Sequence, residues 1–183
     1  MELIKQNTQS RLIKSLLVVL VGSIILTISA KIRIPFYPVP MTMQTFAVLF
    51  LGISFGYKIA IATVGLYLLE GIMGLPVFSN SPEKGIGLAY FTGPTMGYLI
   101  GFISACFFSS FVKLTDNYFL IFSKLIFSVS TIYVLGILWL GFIIGWDKPI
   151  IELGVVPFLL AEIFKITLLT VLTKKIYNLR NFI

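Results

Sequence analysis

Inside the last apolar stretch of the chain, 157–165, Glu162 and Lys165 stand three residues apart. On a helix that spacing puts an acid and a base on one face, with Phe158 and Leu169 above and below them on the same stripe. A charged group near the bilayer centre costs about 2.5–3.5 kcal/mol on insertion scales, so the pair must face protein rather than lipid. Two readings follow. The pair is a self-neutralising structural salt bridge, or its two groups wait for a polar ligand in a pocket, the usual meaning of ionisable residues inside a membrane.

Two other regions carry polar side chains of the right kind. Thr42 and Gln44 close the segment Pro38-Val39-Pro40-Met41-Thr42-Met43-Gln44-Thr45. Asn80 lies in the longest polar connection, and Tyr90 and Thr92 follow it. Amides donate and accept, Lys165 donates and ionised Glu162 accepts, so together these groups suit a small ligand bearing both donors and acceptors. Each has a plainer role as well: Thr42 as a cap for the helix behind it, Asn80 as a loop former beside Pro82.

Catalysis is poorly supplied. The 183 residues include no histidine, which removes the commonest general base and metal ligand together. No glycine-rich loop ends in Gly-Lys-Ser or Gly-Lys-Thr, and no carboxylates have metal-ligand spacing. No catalytic residue, metal site or cofactor is therefore assigned to this chain. A lone Cys106 in an apolar run excludes an internal disulfide and reads as a packing residue.

The elements that must hold these groups are membrane helices. Hydrophobic residues make up 58% of the chain and charged ones 11%, too little polar material to cover a soluble domain. We read one all-α integral membrane domain over residues 1–183, with six spans near 15–30, 41–57, 59–75, 94–112, 125–146 and 154–173. Pro35, Pro38 and Pro40 end the first span in a stiff loop. Trp146 marks a membrane interface.

The net charge of +7 lies between apolar runs rather than in a patch, so it argues topology and not nucleic acid. Nine cations at one side (Lys5, Arg11, Lys14, Lys58, Lys113, Lys124, Lys174, Lys175, Arg180) against four at the other (Lys31, Arg33, Lys84, Lys148) put both termini in the cytoplasm. The pocket then opens outward, with Glu162 about eight residues, roughly 12 Å, into its helix. Six short spans are few for a secondary transporter, which usually needs two repeats.

Several motifs, in order between residues 38 and 165, closely resemble the BioY family, the biotin-specific S components of energy-coupling-factor (ECF) transporters. They are the 38–45 segment, Gly74-Leu75-Pro76-Val77-Phe78, the run from Thr92-Gly93-Pro94-Thr95 to Phe102, Tyr133-Val134-Leu135-Gly136-Ile137-Leu138-Trp139-Leu140, and Pro157-Phe158-Leu159. The resemblance implies a prokaryotic cell-membrane protein that captures biotin from outside. A transmembrane T component and two ABC-type ATPases, which use ATP, would drive its release inward. The family's last-helix motif, Pro-Phe-Leu-Pro-Gly-Asp-x-x-Lys, places its ligand-binding Asp and Lys at Glu162 and Lys165. This chain departs from it with Leu160, Ala161 and Glu162. A loop asparagine that meets biotin in the family corresponds to Asn80.

Biotin's ureido ring, with two N–H donors and one carbonyl, matches an ionised Glu162 beside a protonated Lys165, and Lys165 is equally able to take the ligand carboxylate. Apolar walls would suit the valerate chain. S components often meet the T component through alanines spaced four apart. The first span offers Ser23, Thr27 and Ala30 as a lipid-exposed row of small residues for that docking, with Gly97 and Gly101 as the second choice. The alternatives are an S component for another vitamin, or a small membrane enzyme or pore using the Glu162/Lys165 pair.

Overall fold

Gly101 and Gly97 decide how the centre of the molecule is built. In the computed structural model, which describes the backbone of residues 2–182 and the side chains of 9–182, they sit on helix α4 (Met96–Ser109). Helix α5 (Tyr118–Ile144) crosses them so closely that a Cβ on Gly101 would lie 2.7 Å from the Ile132 Cα, and one on Gly97 would strike the Leu135 carbonyl. Backbone approach of this kind is what small residues permit between membrane helices. The glycine ridge is therefore spent inside the bundle and offers no outer docking surface.

Around this pair the chain runs α1 (Glu2–Lys31), a two-stranded hairpin of β1 (Arg33–Ile34) and β2 (Met41–Thr42), and α2 (Gln44–Ile72). Then come a short α3 (Gly87–Phe91), α4, α5, α6 (Ile150–Gly154), a 3₁₀ turn (Val156–Phe158), α7 (Leu159–Ile176) and a last 3₁₀ segment (Tyr177–Phe182). The proline-rich stretch folds back into this hairpin, with Arg33 opposite Thr42 and Ile34 opposite Met41. Helix α2 packs against both α1 and α4, and α7 closes the bundle against α2 and α5.

Four helical stretches are long and apolar enough to cross a membrane: Gln9–Lys31, Gln44–Ile72, Tyr118–Ile144 and Ile150–Phe182. Met96–Ser109 is a shorter apolar helix. Helix α2 takes up most of residues 41–57 and 59–75, which the sequence reading divides into two spans, and is broken between its two arms at Gly56. Its φ of 76° belongs to the left-handed region that glycine enters without a Cβ penalty.

The last apolar stretch, Ile150–Phe182, is not one continuous helix. Helix α7 begins at Leu159, after Pro157 has stopped regular helix in the 3₁₀ turn, so Glu162 lies in the first turn and not eight residues deep. Thr42 is also no N-cap. Met43 holds that position without a side-chain bond, while the Thr42 hydroxyl accepts from the Gln44 N–H at 3.3 Å.

The row Ser23, Thr27 and Ala30 does not form a lipid-exposed face. Ser23 and Ala30 are buried, and the Ser23 hydroxyl donates to the Glu70 carboxylate on α2. A polar group and a carboxylate in an apolar bundle satisfy each other, which turns this side of α1 inward. Thr27 is half-buried and bonded to the Ser23 carbonyl at 3.0 Å. The outward face carries Leu16, Leu20, Ile24 and Ile28, each more than half exposed.

Candidate functional site

Glu162 and Lys165 are 5% and 4% exposed, so neither meets solvent, and their 2.8 Å ion pair must be closed by other groups. The closing groups come from the β2–α2 junction. Lys165 Nζ donates to the Thr42 carbonyl at 2.6 Å, to Thr45 Oγ1 at 3.0 Å and to Glu162 Oε1 at 2.8 Å. Thr45 Oγ1 in turn donates to Glu162 Oε1 at 2.9 Å. An ammonium has three protons and this one has three acceptors.

Glu162 is only half satisfied. Its Oε2 is buried with no well-formed hydrogen bond among the described residues, although the Tyr133 hydroxyl stands close to the carboxylate. A buried carboxylate oxygen without a donor is expensive, and the rest of the site shows what the cost is for. Glu162 forms one wall of a cavity between the hairpin, α2, α4, α5 and the loop before α3, with ≈ 560 Å³ of empty space counting its open mouth. Met41, Phe78, Tyr90, Tyr98, Tyr133 and Phe158 supply much of its surface. Two further lining residues, Ser79 and Thr95, also carry buried hydroxyls without partners. One acceptor and two hydroxyls thus stand unpaired around an aromatic space.

Each wall is fixed by local chemistry. Phe78 stacks on Tyr90 with centroids 5.2 Å apart and meets Tyr67 edge-on at 5.5 Å. Gln44 lines the cavity but gives its amide N–H to the Tyr67 hydroxyl at 2.7 Å, and that hydroxyl donates to the Val77 carbonyl at 3.3 Å. Tyr98 is held by the Gly154 carbonyl at 2.9 Å. Trp139 Nε1 donates to the Gly93 carbonyl at 2.8 Å, tying α5 to the Gly-Pro-Thr turn that carries Thr95.

The loop before α3 is clasped from outside. Lys31 donates to the carbonyls of Phe78 at 2.8 Å and Ser81 at 2.6 Å. Arg33 donates to the Ser79 carbonyl and to Asn80 Oδ1 at 2.5 Å, and pairs with Glu83 at 3.3 Å. The exposed Glu83 carboxyl sits below its ordinary range, first through its own backbone N–H and, against a smaller opposing effect of burial, through Arg33 and Lys31.

Of the residues expected from sequence, the structure brings Glu162, Thr42, Gln44 and Tyr90 to the cavity. Lys165 stands behind Glu162 and is absent from the lining. Asn80 is turned away: Arg33 holds its side chain, and only its backbone N–H reaches inward, to the Tyr90 hydroxyl at 3.2 Å. Thr92 is exposed and bonded to its own helix at the Leu88 carbonyl, 3.0 Å. Sequence reasoning left out Thr45, Ser79, Thr95, Tyr98 and Tyr133 as site residues. Thr45 carried a usable signal, since it ends the same polar segment, 38–45, as Thr42 and Gln44.

A bundle of apolar helices around an aromatic-walled cavity, with a buried acid at its wall, defines a membrane protein that binds a small molecule. The comparisons give the family. The chain matches the BioY family over residues 4–182 and belongs to it. It is 32% identical over 156 residues to the biotin transporter BioY of Thermotoga maritima, covering 85% of this chain and 90% of that one. It is 30% identical over 150 residues to the probable biotin transporter BioY of Pyrococcus horikoshii, covering 82% and 88%. In fold it is similar to the crystal structure of an S component for biotin from an ECF-type ABC transporter, with a TM-score of 0.72, 23% identity, and coverage of 93% of this chain and 92% of that one.

Proposed function

We propose that this chain is the substrate-binding S component of an ECF-type transporter and that its ligand is biotin. It captures the vitamin from outside and catalyses no reaction. The observation that carries the reading is the Glu162 Oε2 without a partner beside unpaired hydroxyls of Ser79 and Thr95, in a cavity walled largely by aromatic rings. Biotin's ureido N–H groups supply the donors that Oε2 lacks, and Ser79 or Thr95 can donate to the ureido carbonyl. The aromatic walls suit the fused ring and its aliphatic chain.

Lys165 acts by holding the Glu162 carboxylate in place, together with Thr45. Membership of a biotin transporter family and the names of its relatives support the choice of vitamin. The chain lies in the plasma membrane of a prokaryote as six spans: α1, the two arms of α2, α4, α5 and α7. Its termini are cytoplasmic, so the cavity faces outward. This chain has no cofactor of its own; a T component and two ABC-type ATPases use ATP to move the ligand inward.

Competition among vitamins tests the reading. Purified chain in nanodiscs, loaded with labelled biotin, is expected to lose the label to unlabelled biotin and not to equal thiamine or riboflavin. Displacement by thiamine or riboflavin alone would reassign the ligand.

A further inference from the structure

We infer that the end of the bundle opposite the cavity holds the phosphate of an anionic phospholipid, in a groove lined by Lys113, Arg180, Tyr57 and Tyr177. Helices α4 and α7 both start beside the cavity, and they stop at Ser109 and Ile176. Helix α5 begins at Tyr118, and α2 turns between its arms at Gly56. Gly56, Ser110 and Tyr177 all line the groove, so these apolar helices end at one level, where a bilayer meets water. The groove encloses ≈ 970 Å³, counting its open mouth.

The lining suits an anion. Lys113 is exposed, and among the described residues its ammonium enters no ion pair. Arg180 gives its N–H groups to the carbonyls of Ile53, Gly52 and Ser110 and to the Tyr177 hydroxyl. Those acceptors are neutral, so the guanidinium charge stands uncompensated among the described residues. The Tyr177 hydroxyl accepts from Arg180 and keeps its own proton to donate. Asp116, the one acid in the 110–119 connection, is taken by Lys124 at 2.6 Å. Two cations and a hydroxyl donor are the partners that a phosphate takes in charge-assisted hydrogen bonds. Phe111 and Leu114 also line the groove and are 50% and 43% exposed, apolar surface that acyl chains would cover and a free phosphate would not.

Native mass spectrometry of the full chain in detergent, with phosphatidylglycerol or phosphatidylcholine added at equal concentration, tests this. The parent is expected to retain phosphatidylglycerol at least about tenfold better. Lys113→Gln should weaken that retention about fivefold, and Thr115→Glu, which sets an acid in the lining, by at least as much. Lys148→Gln removes the same charge at the other end of α5 and should behave as the parent. Biotin affinity should be unchanged in all three variants, so a failure of the biotin reading would show separately. Equal retention of the two lipids would overturn the inference. So would retention in both groove variants at the parent level, or a loss in Lys148→Gln as large as in Lys113→Gln, which would make net charge the cause. Displacement of the lipid by an equal concentration of inorganic phosphate would make the ligand a free anion and overturn the lipid assignment.

Discussion

Replacing Lys165 with methionine is expected to cost about 3–5 kcal/mol of stability, because it strands a charged Glu162 in the bundle. The pair is buried on both sides, with 5% and 6% of its side-chain surfaces exposed. Glu162 Oε1 would keep only the Thr45 hydroxyl, and the Thr42 carbonyl and Thr45 would lose their ammonium donor. Adding Glu162→Gln in the same chain removes the stranded charge and should recover most of the loss, since the two positions share one network. Thermal unfolding of the purified variants in detergent measures both. A single Lys165→Met variant as stable as the parent would show that the pair is not buried as described. A double variant no better than the single would show that lost packing, not charge, is responsible.

Arg180→Leu is expected to lower the unfolding temperature clearly, at the opposite end of the bundle from the cavity. The guanidinium donates to the carbonyls of Ile53 at 2.8 Å, Gly52 at 3.2 Å and Ser110 at 2.6 Å. These carbonyls lie where the first arm of α2 stops before Gly56 and where α4 ends, so one side chain satisfies the orphaned acceptors of two helix ends. A hydrogen bond to a charged group is worth about 1.5–3 kcal/mol, and losing the set together should cost at least that much. Arg180→Lys keeps the charge but not the planar fork, and should fall between the two. Ligand affinity should stay unchanged, because the clasp touches no cavity residue. An Arg180→Leu variant that unfolds at the parent temperature would show the clasp to be incidental.

Arg180 also marks the limit of what the sequence made legible. As a basic residue near the end of the chain it counted only toward topology, and nothing local announced its partners 70 to 128 residues away. The Glu162/Lys165 pairing was readable because an i,i+3 contact is fixed by helix geometry alone. That Thr45 joins the pair was not, since it comes from a helix 117 residues earlier. Long apolar helices were readable from composition, and the break between the arms of α2 falls at Gly56. Apolar composition around Pro157 does not reveal the start of α7, which the proline sets by stopping regular helix in the 3₁₀ turn before Leu159. Small residues on α1 said that something approaches closely, but not what. Ser23 meets Glu70 inside the chain, where a lipid-facing row had been expected. Asn80 had the right chemistry and loop, yet Arg33 claims its side chain.

The central claim is that Glu162 Oε2 awaits the ureido N–H groups of biotin. Calorimetric titration of biotin into the purified chain and its Glu162→Gln variant, at matched folding by thermal melt, tests it most directly. Glutamine keeps the size of the side chain but replaces the charged acceptor, so a loss of about 1.5–3 kcal/mol, or roughly 10- to 150-fold in affinity, is expected. A folded Glu162→Gln chain that binds biotin as tightly as the parent would contradict the account.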